Sequence, residues 1–302
     1  MGSLRRRAAG VVAAVMALAM VEAVPPAVAD AGLSPSAAAS SSTVAASGKM
    51  AVPPLDGGEA GDGLSRPDLV SAQKLAHTAK KRVEVLGERT ESSATFVNAD
   101  GTVSVRTFTG PRWVRGTRTV EGKQESSWAD VDTTLVAKAD GTVTPKAVGS
   151  GLVLSGGGDT GLVRMSKNGV GMATAAGVAT SSGGSGVLPK PVLSGDTATY
   201  AEVQPGIDLT VTATRTGFET SWIVKARPSG PLSLELPVTL SGLTPATRAD
   251  GGIDFANAAG ATVMVTRTPL MWDAARDPVS GLPTRVTPMA MTLTEASTVP
   301  TP

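Results

Sequence analysis

The stretch Ile207-Asp208-Leu209-Thr210-Val211-Thr212-Ala213-Thr214, then Arg215-Thr216-Gly217, then Phe218 to Lys225, decides the fold class. Ile207, Leu209, Val211 and Ala213 stand at every second position. A strand points alternate residues to opposite faces, so these four share one side. Two such runs joined by a short segment containing glycine predict a β-hairpin with one face on a core. Just upstream, Pro205-Gly206 is a turn that lets Tyr200 and Val203 pack on one side and aims the 207–213 face inward.

The same chemistry recurs along the chain. Thr95-Phe96-Val97 and Val103 to Phe108 flank Asn98-Ala99-Asp100-Gly101, and Asp-Gly between alternating segments is a strong hairpin signal. Ala139-Asp140-Gly141 lies between Thr134-Leu135-Val136 and Val143-Thr144, and Ala249-Asp250-Gly251 precedes Ile253-Asp254-Phe255. Their unequal spacing marks reused turn chemistry rather than a solenoid or propeller. Leu232 to Leu236, Ala261 to Thr266 and Met289 to Thr294 are further strand-like runs. Ser155 to Gly161 and Gly169 to Gly186 are glycine-rich and read as loops or ragged edges. The predicted class is all-β, mainly antiparallel β-sandwich, over 83–275. The Gly169–Gly186 stretch could divide it into two sub-units, and a strand and Pro/Thr tail follow over 276–302.

Composition points the same way. Glycine at 35, proline at 21 and only 3% aromatics suit short strands and tight turns better than helical packing. There is no cysteine, so disulfides, thiolate metal sites and thiol chemistry are excluded.

The N-terminus reads as an export leader. Arg5, Arg6 and Arg7 precede an almost unbroken apolar run from Ala8 to Met20, and Ala27-Val28-Ala29 offers a small-x-small cleavage pattern before Asp30. The run is shorter than the roughly 20 residues a membrane-spanning helix needs. No Phe-Leu-Lys follows the arginines, which favours the general secretory route over the twin-arginine one. Residues 1–29 are therefore expected to lie outside the fold, and the mature protein to be secreted, with no transmembrane segment. Losing three arginines and Glu22 takes the formal charge from +1 to −1. Such a chain lacks the clustered basic charge that nucleic acid or anionic lipid requires.

Residues 30–64 read as a disordered Ala/Ser/Pro/Gly linker. One short helix is predicted over 65–82. Ser65 and Asp68 resemble a capping box, Pro67 falls in the first turn, and Leu69, Ala72, Leu75 and Ala76 share a face. The only histidine, His77, sits on this helix.

A Ser-His-Asp triad needs a base held rigidly against its serine. His77 beside a linker does not supply one, and no Gly-x-Ser-x-Gly elbow occurs between a strand and a helix. Trp128-Ala129-Asp130-Val131-Asp132-Thr133 places Asp130 and Asp132 two apart on a strand, hence on one face, as weak candidates for Ca²⁺. The competing reading is a solvated strand face. No other cofactor is indicated. A carboxylate hydrolase would need both acids to meet a third, such as Asp208, in one cleft. Trp113, Trp222 and Trp272 are candidate sugar platforms, with burial as core anchors the ordinary alternative.

Four phrases in order carry a family resemblance. They are Lys81 to Leu86 with Arg89-Thr90-Glu91; Trp128 to Leu135; Gly195 to Tyr200 with Pro205 to Leu209; and Pro269-Leu270-Met271-Trp272-Asp273. Together they resemble the N-terminal β-rich region of large secreted actinobacterial proteins that continue into DNRLRE, LamG-like or RHS/YD-repeat modules. The segment around Tyr200 to Leu209 is also similar to β-sandwich domains that precede β-propeller repeats. The resemblance implies an extracellular β-sandwich-like module without catalytic residues. The leading expectation is a non-catalytic structural or display module that partners other extracellular protein modules. The alternative is a module binding cell-wall or extracellular polysaccharide.

Overall fold

A computed structural model of the chain describes residues 12–20, 63–120, 123–176, 186–228, 230 and 234–294. Strands make up 48% and helix 7%, which places the chain in the all-β class as a sandwich of antiparallel sheets with one α-helix among the described residues. Strand β1 (Val12–Met20) belongs to the larger of two compact units. The predicted linker falls almost wholly outside the described residues.

The smaller unit spans 24–108. It contains β2 (Ser65–Arg66), α1 (Leu69–Ala79), β3 (Val83–Val85), β4 (Ser93–Val97) and β5 (Val103–Thr107) in one sheet of order β2-β3-β4-β5. Helix and sheet meet through Ala72, Ala76, Val83, Val85 and Val97, all essentially inaccessible. The helix starts later than predicted. Asp68, not Ser65, caps it by accepting a hydrogen bond from the Ser71 N–H at 2.9 Å. Ser65 and Arg66 instead pair in parallel with Glu84 and Val85, because the residue before a proline is held extended and Arg66 precedes Pro67. The helix stops at Lys80, which takes a left-handed conformation (φ 53°). On the other face of this sheet Glu84 is buried and accepts both hydrogen bonds of a forked pair with Arg89, each 2.7 Å. The Arg82 guanidinium covers the Phe96 ring at 3.7 Å.

The larger unit comprises 1–23 and 109–302. It opens on a two-stranded ribbon, β6 (Trp113–Val120) and β7 (Lys123–Asp130). Next come β8 (Asp132–Ala137), β9 (Val143–Ala147), β10 (Val153–Leu154), β11 (Gly161–Lys167) and β12 (Val170–Ala175). β13 (Val192–Ser194), β14 (Thr197–Gln204), β15 (Ile207–Ala213) and β16 (Gly217–Val224) follow. β17 (Val238–Ser241) returns to β12 and completes a six-stranded sheet, β17-β12-β11-β10-β9-β8. The last strands are β18 (Thr244–Thr247), β19 (Ile253–Ala256), β20 (Thr262–Thr266), β21 (Leu270–Trp272) and β22 (Val286–Pro288). The second large sheet runs β13-β14-β15-β16-β1-β20-β19-β18, with β21 and β22 paired beside β1.

The hairpin of the opening stretch forms as read. Ile207 pairs with Val224 and Ala213 with Phe218, and Leu209, Val211, Ala213, Phe218 and Val224 are all buried. Both large sheets feed one core, since Leu154, Leu162 and Met165 of the first lie in the same apolar cluster as Leu209, Phe218 and Met264 of the second. Tyr200 on β14 is fully buried and its hydroxyl donates to the Ser155 carbonyl at 2.7 Å. Burial holds that hydroxyl's pKa well above the ordinary tyrosine range.

Three sequence expectations need correction. The glycine-rich stretch from Gly169 does not begin as a loop, because β12 lies within it, and buried residues before and after it share one core. Asn168 (φ 54°) and Gly169 (φ 81°) form a two-residue turn of left-handed conformation between Lys167 and Val170, the geometry that matches strand twist in tight hairpins. Leu234, Leu236, Met289 and Met291 lie outside strands yet still pack half-buried on the core. Finally, residues 1–29 do not all lie outside the fold of the full chain. Val12–Met20 pairs antiparallel with β16 over eight positions and with β20 and β21 on its other side. An extended apolar run with no charge satisfies its backbone groups where two sheet edges would otherwise stand open.

Candidate functional site

Asp130 and Asp132 do not share a strand. The ladder breaks at Val131, whose N–H donates to the Arg112 carbonyl at 2.9 Å, so Asp130 ends β7 and Asp132 begins β8. Asp132 accepts from the Thr134 N–H at 2.9 Å and lies 3.7 Å from the Lys146 ammonium. Asp208, the third acid of the hydrolase reading, is engaged elsewhere. It pairs with Lys225 at 2.7 Å and accepts from the Glu202 N–H at 2.7 Å, while Glu202 also pairs with Lys225. The two carboxylates raise the Lys225 pKa. Partial burial alone would raise the Asp208 carboxyl, but the Lys225 ammonium and the Glu202 N–H outweigh it and leave the pKa below the usual range. Among the described residues no group of three His, Cys, Asp or Glu side chains could hold a metal ion. His77 is exposed on α1.

The carboxylates serve as local clamps instead. In the Ala-Asp-Gly turns, Asp100 accepts from both the N–H (2.9 Å) and hydroxyl (2.6 Å) of Thr102, and Asp140 does the same with Thr142 at 2.9 and 2.7 Å. Asp250 accepts from the Gly252 N–H at 2.9 Å and forks onto Arg248. Asp277 accepts from Val279 and Ser280. Each partner stabilises the charged form, so these carboxyls lie below the usual range. For Asp100, Asp132 and Asp140 the threonine hydroxyl contributes most and its N–H next, and for Asp250 the Arg248 guanidinium leads.

The aromatic candidates separate by register. Trp222 is 6% exposed, on the core face of β16, and is no surface platform. Trp272 is half-buried on β21, paired with Ala13 and Val286. Trp113 opposes Asp130 on the ribbon, and Arg115 opposes Trp128. Residues two apart on a strand and directly opposite across a pair share a face. One ribbon face therefore carries Trp113, Arg115, Trp128 and Asp130 together. Both indoles are half-buried, while Arg115 and Asp130 are exposed. The Arg115 guanidinium lies 5.3 Å from the Trp128 ring centre, and Arg112 lies 5.8 Å from that of Trp113. Sequence reasoning named Trp113 and Asp130 for different chemistries and passed over Trp128 and Arg115 as site residues. The missing signal was the β6–β7 register, which brings positions 15 residues apart into diagonal contact range.

A shallow recess of about 320 Å³ over β11, β12 and β17 is lined by Arg164, Met165, Met172 and Leu240, with Arg164 its only charged group. No described helix is long and apolar enough to cross a membrane. No protein family, curated protein or solved structure matches this chain.

Proposed function

We propose that the protein is a secreted, non-catalytic structural or display module of an extracellular or cell-surface assembly, akin to the β-rich front regions of large secreted actinobacterial proteins. The observation that carries this reading is the use made of the acids. Asp100, Asp140, Asp250 and Asp277 are committed to turns, Asp132 to the start of β8, and Asp208 and Glu202 to Lys225, so these carboxylates serve the scaffold. Export by the leader and cleavage after Ala29 place the module outside the cell. The test is to express the full-length precursor in a secreting bacterial host and take the intact mass of the product from medium and wall fractions. A species beginning at Asp30 supports the reading, and a species beginning at Met1 and retained in the cytosol contradicts it.

The ribbon face favours a second reading, a carbohydrate- or cell-wall-binding module. Flat indoles stack on the apolar faces of sugar rings, while a guanidinium and a carboxylate meet ring hydroxyls. Retention of the protein on insoluble polysaccharide, lost in Trp113→Ala and Trp128→Ala, would establish it. Retention unaltered by both changes would remove the ribbon from consideration.

A further inference from the structure

The ten-stranded sheet is continuous only through β1. β16 pairs with β15 on one side and with β1 on the other, from Val12↔Val224 to Ala19↔Gly217. Beyond β1 lie β20, met by Leu18–Met20, and β21, met by Ala13–Val15. No other described strand joins β16 to either. Yet Val12–Met20 is also the apolar centre of the export leader. A chain processed after Ala29 has no β1.

We infer that the exported protein presents a strand-acceptor slot between β16 and the β20–β21 edge, and that its occupant is an uncharged, apolar strand of eight or nine residues supplied by a partner polypeptide. The inference rests on the proposed export with cleavage. The occupant's chemistry is read from the segment seated there, Val-Ala-Ala-Val-Met-Ala-Leu-Ala-Met, which has no charge. The walls agree: Glu219 is the only charged residue of β16, and β20 has none. Register places Val12, Ala14, Met16 and Leu18 opposite four buried residues of β16, Val224, Trp222, Thr220 and Phe218. Alternate positions of an incoming strand thus meet the core side, and its backbone meets two rows of unpaired N–H and C=O groups. Main-chain pairing then supplies affinity and the alternate positions specificity, the mode in which sheets accept peptides. The Thr220 hydroxyl and the Trp222 indole N–H are buried without a hydrogen-bond partner.

The test uses the protein secreted from its full-length precursor, with native mass to show a monomer free of other polypeptides. Amide hydrogen exchange over 217–224 and 262–272 is followed alone and with a synthetic Val12–Met20 peptide carrying two lysines at each end. The expected result is at least tenfold slower exchange in both segments at saturating peptide, and no slowing by a peptide with Met16→Asp. A species beginning at Asp30 whose 217–224 amides are already protected, and which the peptide leaves unchanged, overturns the slot while leaving export intact. A species beginning at Met1 overturns the proposal through the export step instead. Equal protection by the Met16→Asp peptide overturns the apolar occupant. In the uncleaved chain, Val15→Pro removes a ladder donor and should lower the melting midpoint by about 5 °C. An unchanged midpoint contradicts the place of β1 in the sheet.

Discussion

The ribbon β6–β7 and the hairpin β15–β16 are built to the same plan, each two antiparallel strands of seven or eight residues that follow one another closely in sequence. They end in opposite roles. In β15–β16 every second side chain but one, Thr220, is aliphatic or aromatic, and the pair lies inside a ten-stranded sheet with that face on the core. In β6–β7 the corresponding positions alternate aromatic with charged, Trp113 with Arg115 and Trp128 with Asp130, and the pair forms a sheet of its own. What differs is the content of the period-two pattern. A phase that is apolar but for one hydroxyl, with no charge, commits a hairpin to burial, whereas a phase mixing indole and charge leaves it half wet and free to meet a ligand.

The largest break in this comparison should come from the core side. Phe218→Ala, at a residue 1% exposed, should cost about 3–5 kcal/mol in urea unfolding of the full chain. A loss below about 1 kcal/mol would mean that β16 does not seal the core. Gly206 comes next. Its φ of 77° is a conformation that β-branched residues adopt only under strain, so Gly206→Val should lower stability by about 1–3 kcal/mol. An unchanged melting temperature would remove the turn from the account.

Acid should act on the scaffold outside both hairpins, through its aspartate clamps. The carboxyls of Asp100, Asp132, Asp140 and Asp250 have folded-state pKa values below their unfolded ones. Their contribution is therefore present above the unfolded value and is lost as pH falls through the folded one. Urea midpoints should hold steady from about pH 7 to pH 5 and decline below about pH 4. A midpoint that rises on acidification would contradict the clamp role. Smallest of all, Trp128→Ala should change stability by under about 1 kcal/mol, because the residue is only half-buried and lies on a two-stranded sheet of its own. A cost comparable with that of Phe218→Ala would turn the ribbon into core and end the carbohydrate reading.

Hairpin chemistry was legible in the sequence because it is local. Alternation over 207–213 and Asp-Gly turns act within a few residues, and so does the carboxylate that accepts from the residue two positions on. What stayed hidden depends on distant partners. Gly156 looks like part of a flexible run, yet a side-chain carbon there would sit 1.6 Å from the Gly141 carbonyl oxygen, so a strand turn packs directly on it. Ser65 resembles a helix cap until Glu84 and Val85 claim it and Arg66 as parallel partners. The candidate site suffered most. Trp113 and Trp128 belong together only through a register that no single motif announces, and the leader's apolar run reads as an export signal whether or not a sheet receives it.

The contrast between the two hairpins is tested most directly by amide hydrogen exchange on the full chain. Amides in 207–224 should exchange only on global unfolding, with protection equal to the stability from urea, while those in 113–130 should exchange orders of magnitude faster through local opening. Equal protection of the two segments, or earlier exchange of 207–224, would contradict a sandwich whose core is carried by β15–β16 and whose ribbon stands apart.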